Sequence, residues 1–430
     1  MVPTGKPLGG GPKRFVGFGF GPIQAGLMLL QAVDSGAFDA YCLVEIDPEL
    51  VAAVRRNGGS IVVNIAGRDG IVKRRLQGFT ILNPRVEQDR LAIGGLVEGA
   101  DEMATAIPSV EHYGSGGEAS VAGLIARNAN QQKPQIVYAA ENHNFAAEIL
   151  RAELGKHVPD ERLGHLNILN TVIGKMSGLI QEREEMEKLG IEPVVPGWTR
   201  AILVEEFSRI LVSRPTLPGV SRGIAIFEEK DDLLPFEEAK LYGHNAIHSL
   251  LGYLAAWKGY EVMSRIRDDR RLYELGLAAF LEESGAPLIK RHRGMGDALF
   301  TETGYAAYAQ DLMERMTNPF LHDKVERICR DPARKLALSD RLFGTMQVAL
   351  AAGVTPRRLA TGAAAAIGYA RARKEAFATS TSDTAAMLRA LWASRPAEVP
   401  ARESSREAAE TCIRLVLDAE RRLERGELPE

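Results

Sequence analysis

Apolar and polar positions follow two rhythms along this chain, and the change comes near Pro235. Residues 15–18 form a short apolar run closed by glycines, residues 23–33 follow with apolar positions at helical spacing, and residues 41–45 make a second strand-length run. Strand, turn, helix and strand in that order predict a βαβ unit and so a parallel sheet. Further strand-length runs lie at 60–64, 79–82, 103–107, 135–139 and 201–203, with amphipathic stretches such as 144–154 between several of them. Beyond Pro235 the period becomes helical, over 241–265, 271–284, 305–316, 340–352, 361–377, 382–393 and 404–425. The pattern predicts a disordered Gly- and Pro-rich lead-in over 1–14, an α/β domain over 15–232 and a mainly α-helical domain over 233–430.

Composition narrows the partners. The 430 residues are 25% charged and 45% hydrophobic, ordinary for a globular protein with room for two cores. Lys+Arg number 53 against Asp+Glu 56, so no basic excess exists to hold a phosphate backbone, and a nucleic-acid partner is excluded on electrostatic grounds. Cys42, Cys329 and Cys412 are far apart and without metal-ligand spacing, which argues for a reducing, cytoplasmic setting. No export signal is read at the start of the chain, and the Ala-rich stretch 348–370 is broken by Pro356, Arg357 and Arg358 before it reaches membrane-spanning length.

The first glycine cluster, Gly19, Gly21 and Gly26, sits between a strand and a helix, where backbone N–H groups and the positive end of a helix dipole would meet a dinucleotide pyrophosphate. The strict G-x-G-x-x-G form fails at Gln24, but strand before, helix after and Glu45 at the end of the second strand supply the context of a Rossmann-like domain. Gly19, Phe20, Gly21 and Ile23 are the candidate cofactor contacts. Glu45 would accept hydrogen bonds from the adenosine ribose and repel a 2′-phosphate, which favours NAD over NADP; Arg55 and Arg56 temper that preference, and Asp47 stands second to Glu45. Glycines that only permit close packing are the bland alternative.

Lys240, Asn245 and His248 supply one titratable base and two polar orienters. At about 100° per residue, His244, His248 and Asn245 fall about 40°, 80° and 140° from Lys240, within one half of a helix. Three polar residues on a solvated face would look the same. His244 and His248 at i, i+4 resemble a metal pair, but no third ligand accompanies them, so no metal is expected.

The Lys240-x4-Asn245-x2-His248 spacing behind a Rossmann-like domain resembles the polyol-specific long-chain dehydrogenases, the mannitol dehydrogenase-like family. Segments 170–176, 204–207, Glu141 with Asn142, 315–323 and 327–336 resemble that family's motifs in the same order, so that the likeness runs from about Phe15 to Leu342. It implies an NAD-dependent interconversion of a secondary alcohol and a ketone on an open-chain polyol, polyol phosphate or sugar acid. Lys240 would be the general acid/base, Asn245 and Asn170 the oxyanion donors, and His248 the residue that positions a substrate hydroxyl. A competing reading makes His248 the base, and Asn170 is equally a residue type of helix caps and turns. Asn142 would join the cofactor contacts. Arg327, Lys335 and His244 would face the substrate, with Arg330 and Arg334 making their segment basic, although ion pairs to Asp323, Glu326 and Asp331 would occupy the same arginines. An opine-type dehydrogenase and a catalytically inactive nucleotide-binding regulator are the alternatives.

Overall fold

The structure, a computed structural model, describes residues 13–394 and 405–429. Of the lead-in expected over 1–14, Met1 to Pro12 lie outside the described residues, whereas Lys13 and Arg14 already belong to the first strand. Tertiary contacts divide the chain between Leu234 and Pro235 into two units.

In the first unit β1 (Lys13–Phe18), β2 (Phe38–Val44), β3 (Phe79–Leu82), β4 (Glu102–Thr105), β5 (Gln135–Ala139) and β6 (Leu166–Val172) lie parallel in the order β3-β2-β1-β4-β5-β6. This is the doubly wound Rossmann order, whose reversal between β1 and β4 opens a crevice at the strands' carboxyl ends. Leu211–Ser213 adds antiparallel to β6, and Glu228–Lys230 pairs beyond it. Near-continuous apolar strands are what burial on both faces demands. Phe15, Ile136 and Tyr138 pack with Leu27 and Met28 on one side, while Val16, Phe18, Met103 and Val137 pack with Ile93, Val97, Leu124 and Leu150 on the other. A second, four-stranded sheet runs Ile71–Leu76, Ile61–Ala66, Ala201–Glu205, Ser177–Ile180, and its Ile61, Val63, Ile202 and Val204 share a core with Leu29 and Leu43.

The second unit is helical. Its central helix spans 234–257 and is not α-helical throughout, because Ala239–Asn245 winds as a π-helix between α-helical flanks. The helix expected over 241–265 stops at Trp257: Gly259, at φ 76°, lets Tyr260 N–H reach Ala255 O (2.8 Å) and Gly259 N–H reach Ala256 O (3.0 Å), a Schellman ending. Arg357–Ala372 crosses the central helix where Gly362 meets Leu250. The Ala-rich stretch is two helices, Phe343–Ala351 and Arg357–Ala372, and among the described residues no helix is long and apolar enough to cross a membrane. Cys42, Cys329 and Cys412 are buried and unpaired.

Candidate active site

The π-turn is the local feature from which the site is built. Shifting hydrogen bonds to i→i+5 widens a helix by one residue and leaves carbonyls short of partners. Two hydroxyls cover them here: Tyr308 Oη donates to Ala239 O (3.4 Å) and Thr345 Oγ1 to Tyr242 O (3.2 Å). Gly243 lets neighbours come close, since a Cβ there would lie 2.7 Å from Tyr305 Oη and 3.0 Å from Phe280. Phe280 belongs to a second π-turn, Ala279–Gly285, and Tyr305 is wedged between the two, with Gly285 against its ring and Ser284 Oγ 3.0 Å from its hydroxyl. The uniform 100° wheel is therefore corrected across 239–245, yet His244 and His248 remain neighbours, their rings 5.9 Å apart.

Lys240 and Asn245 lie within the π-turn and are partly buried; His244 and His248 are buried. Burial first, and the Arg341 guanidinium second, push the Lys240 amine down to about 8, with Glu237 opposing. Burial likewise holds His244 well below its usual value, reinforced by His248, Arg315, Lys240 and Arg341, so its imidazole is neutral. His248 Nε2 lies 3.1 Å from Asp323 Oδ2, at ion-pair distance but off the line of a good hydrogen bond. Burial would raise the Asp323 carboxyl, but His248 and Arg327 outweigh it and hold it below the ordinary range. Arg327 reaches the same carboxylate through Nε (2.8 Å) and an Nη (2.7 Å). Asp323 thus ties the expected hydroxyl positioner to an expected substrate contact.

Lys335 is placed differently from a free substrate contact. Its Nζ donates to Ile328 O and to Arg330 O (2.5 Å), stands 5.8 Å from the Tyr253 ring centroid, and is brought by burial and Arg341 to about 8. Arg330 is exposed, and Arg334 pairs with Asp331 through Nε at 3.2 Å. No group of three or more His, Cys, Asp or Glu is placed to hold a metal among the described residues.

In the first unit the glycine turn fits a dinucleotide pyrophosphate. Gly19 adopts φ 96°, and a Cβ there would stand 2.6 Å from Ala106 O in the loop after β4, at the reversal of strand order. A Cβ on Gly21 would meet nothing within 4 Å, so the backbone faces clear space where the following helix begins. Phe20 and Ile23, by contrast, pack partly into the core. Gln24, fully buried, replaces bulk that Gly17 lacks: a Cβ on Gly17 would lie 2.0 Å from its Nε2. Burial raises the Glu45 carboxyl, with the amides of Asp47, Ile46 and Phe20 opposing. Asp47 is committed elsewhere, capping the helix Pro48–Arg56 through Glu49 N (3.0 Å) and Leu50 N (3.2 Å). Arg55 is committed too, to Ile81 O (3.0 Å) and Asp89 (2.6 Å). Asn142 is exposed after β5, beside Glu141, whose carboxylate takes Thr105 Oγ1 (2.9 Å) and Ile107 N–H (3.0 Å). Asn170, on β6, accepts from Ala147 N (2.8 Å) and donates to Glu148 (2.8 Å), so its amide secures the start of the helix Ala146–Gly155.

Residues 232–408 match the model of the mannitol dehydrogenase C-terminal domain. The chain is similar to the mannitol-1-phosphate 5-dehydrogenase of Exiguobacterium sibiricum, 28% identical over 360 residues that cover 83% of this chain and 85% of the relative. Its C-terminal part thus carries the mannitol dehydrogenase domain, and most of the chain is mannitol dehydrogenase-like. A D-sorbitol dehydrogenase solved in substrate-free form matches at TM-score 0.73 and 14% identity, covering 95% of this chain and 93% of that one. The Pseudomonas fluorescens mannitol 2-dehydrogenase, solved with NAD and D-mannitol, matches at 0.67 and 16%, covering 96% and 92%. Both likenesses show that this mannitol dehydrogenase-like chain has the fold described above.

Two residues in the mannitol dehydrogenase C-terminal domain of this chain escape a reading by spacing. Arg341 acts electrostatically on Lys240, His244, Tyr253 and Lys335, and Arg315 acts on His244. Arg315 stood in a quoted motif without a role, whereas Arg341, beside Asp340, carries no motif at all and comes to the π-turn only through tertiary packing.

Proposed function

We propose that this chain is an NAD-dependent, metal-independent dehydrogenase interconverting a secondary alcohol and a ketone on an open-chain polyol, polyol phosphate or sugar acid. The mannitol dehydrogenase C-terminal domain and the likeness to mannitol-1-phosphate 5-dehydrogenases support a polyol oxidoreductase. What carries the finer reading is Lys240, a lysine fixed in a π-turn with its amine brought to about 8, where it exchanges a proton near neutrality.

A bound NAD would supply the hydride acceptor for the alcohol carbon. Lys240 Nζ removes the hydroxyl proton as that hydride leaves, and returns a proton to the oxygen in the reduction. Asn245, whose side-chain amide makes no hydrogen bond among the described residues, has its donors available for the oxygen as negative charge builds on it. Asn170, expected as a second donor, has its amide engaged with Ala147 and Glu148, so Asn245 carries this role in the reading. His248, steadied by Asp323, orients a neighbouring hydroxyl, and neutral His244 lines the pocket without adding charge. In this reading Arg327, held by Asp323, borders the far end of the substrate, while Lys335 ties down the segment 328–330 through the carbonyls of Ile328 and Arg330. Gly19, Phe20, Gly21, Ile23, Glu45 and Asn142 hold the cofactor, Gly19 and Gly21 by leaving room for the pyrophosphate and Glu45 by taking the ribose hydroxyls. Base and amide donors account for both proton and charge, which is why no metal is invoked.

Lys240→Ala is expected to lower kcat by roughly 100- to 10,000-fold on the substrate found by screening polyols, polyol phosphates and sugar acids. NAD affinity, followed by fluorescence titration, should be unchanged. Near-normal turnover in that variant would remove Lys240 from the role of base.

A further inference from the structure

Arg341 lies between the turn 332–335 and the helix Phe343–Ala351, and its position is fixed from three directions. Its backbone N–H and its Nε both donate to Asp340 Oδ1, at 2.6 and 2.7 Å, and its carbonyl accepts Thr345 Oγ1 at 2.5 Å. The same Thr345 hydroxyl reaches Tyr242 O in the π-turn at 3.2 Å, so one side chain fastens Arg341 to the turn that carries Lys240. Gly344 assists by seating the start of that helix against the Tyr242 ring, where a Cβ would come within 2.7 Å.

The Arg341 side chain is only 12% exposed, so its guanidinium is largely withdrawn from bulk water while its Nη groups stay accessible to a ligand. A guanidinium carries five N–H groups, and here Nε has its carboxylate while the two Nη groups have no acceptor among the described residues. The neighbouring cations are committed inside the protein: Arg327 to Asp323 through Nε and one Nη, and Lys335 to two carbonyls. Arg341 also acts as a like charge on both Lys240 and Lys335, so an anion beside it would relieve repulsion that Asp340 alone leaves standing. Two adjacent Nη groups in a plane match two oxygens of one phosphate or carboxylate, a fit a lone hydroxyl does not offer.

We propose that Arg341 is a specificity-determining contact of this site, binding through its Nη groups an oxyanion, phosphate or carboxylate, carried by the open-chain substrate. The assignment rests on the alcohol dehydrogenase reading above and deepens it: the substrate is a charged sugar derivative, and the neutral polyol is the poor one.

The test compares the full-length enzyme with Arg341→Gln and Arg341→Lys on three substrates, a hexitol phosphate, a hexonate and the unsubstituted hexitol, with initial rates read from the reduced cofactor. Expected for the wild type is a kcat/KM on one of the anionic substrates roughly 100-fold above that on the hexitol, and which one it is separates phosphate from carboxylate. Arg341→Gln should collapse that ratio toward unity, mainly through KM, with Arg341→Lys between them. Inorganic phosphate should compete with substrate in the wild type and not in the Gln variant. Unchanged NAD affinity in both variants would show that they fold. As a like charge is lost, the midpoint of the pH–rate profile should also move upward in Arg341→Gln; the collapse of the anion preference is the readout that a purely structural arginine would not give. An equal loss on all three substrates, or a wild type that prefers the neutral hexitol, overturns the assignment while leaving the dehydrogenase in place. A wild type inert toward every polyol overturns the dehydrogenase reading itself.

Discussion

Lys240 is the residue on which the chemistry turns, and its environment sets a sign. Its amine, ordinarily near 10.5, lies at about 8 because burial penalises the charged form and Arg341 repels it, with Glu237 pulling the other way and neutral His244 one turn on. Alcohol oxidation needs the free amine, so kcat/KM for oxidation should fall about tenfold per pH unit below 8 and level off above it; ketone reduction should run the other way. The same shift is a stability statement. Between about 8 and 10.5 the unfolded chain binds more protons at this lysine than the folded one, so its contribution becomes less unfavourable as pH rises through that window. At pH 7 Lys240→Met should therefore raise the unfolding free energy by on the order of 1–3 kcal/mol while abolishing turnover, measurable by thermal melts beside activity. A melt lowered by the substitution would contradict the buried-charge account. Residue types and spacing were enough to single out Lys240, Asn245, His244 and His248. Arg341 was not legible, because its effect depends on which loop tertiary packing brings beside the π-turn, and local sequence does not encode that. Asn170 was legible only as a choice of two roles, and its contacts with Ala147 and Glu148 are those of a residue holding a helix start.

Among the elements, the paired π-turns 239–245 and 279–285 were invisible in the sequence, since a helical apolar pattern reads alike whether or not one residue is squeezed in. Their glycines make the packing testable. Gly243→Ala places a methyl 2.7 Å from Tyr305 Oη and 3.0 Å from Phe280, so it should destabilise the protein by about 1–3 kcal/mol and lower kcat, as Lys240 shares the turn. Denaturant titration and steady-state rates check both parts; an unaltered kcat would mean that the turn does not place the base. Strands were legible where apolar runs were uninterrupted, as at Phe79–Leu82 and Gln135–Ala139. Leu166–Val172 was missed because Asn167 and Asn170 break its run, and Ile71–Leu76 because Lys73, Arg74 and Arg75 disguise an edge strand.

For the whole molecule, the change of rhythm near Pro235 was enough to read an α/β part followed by a helical part, whereas the strand order β3-β2-β1-β4-β5-β6 lay beyond a single βαβ signal. A ligand that binds the folded chain alone raises its stability, so NAD at 100 times its Kd should add about 2.7 kcal/mol, seen as an upward shift in melting temperature. Gly19→Ala, which forces a methyl toward Ala106 O at φ 96°, should erase most of that shift. A full NAD shift in that variant would place the cofactor elsewhere. The three cysteines give the molecule a further use. Cys42, Cys329 and Cys412 are buried, one in the first unit and two in the second, and burial lifts each thiol to about 12, so none offers a thiolate while the chain is folded. Alkylation can then proceed only from opened chains, which makes these residues native clocks: mass-resolved labelling at Cys42 against Cys329 and Cys412 would time the opening of each unit separately, with no probe introduced.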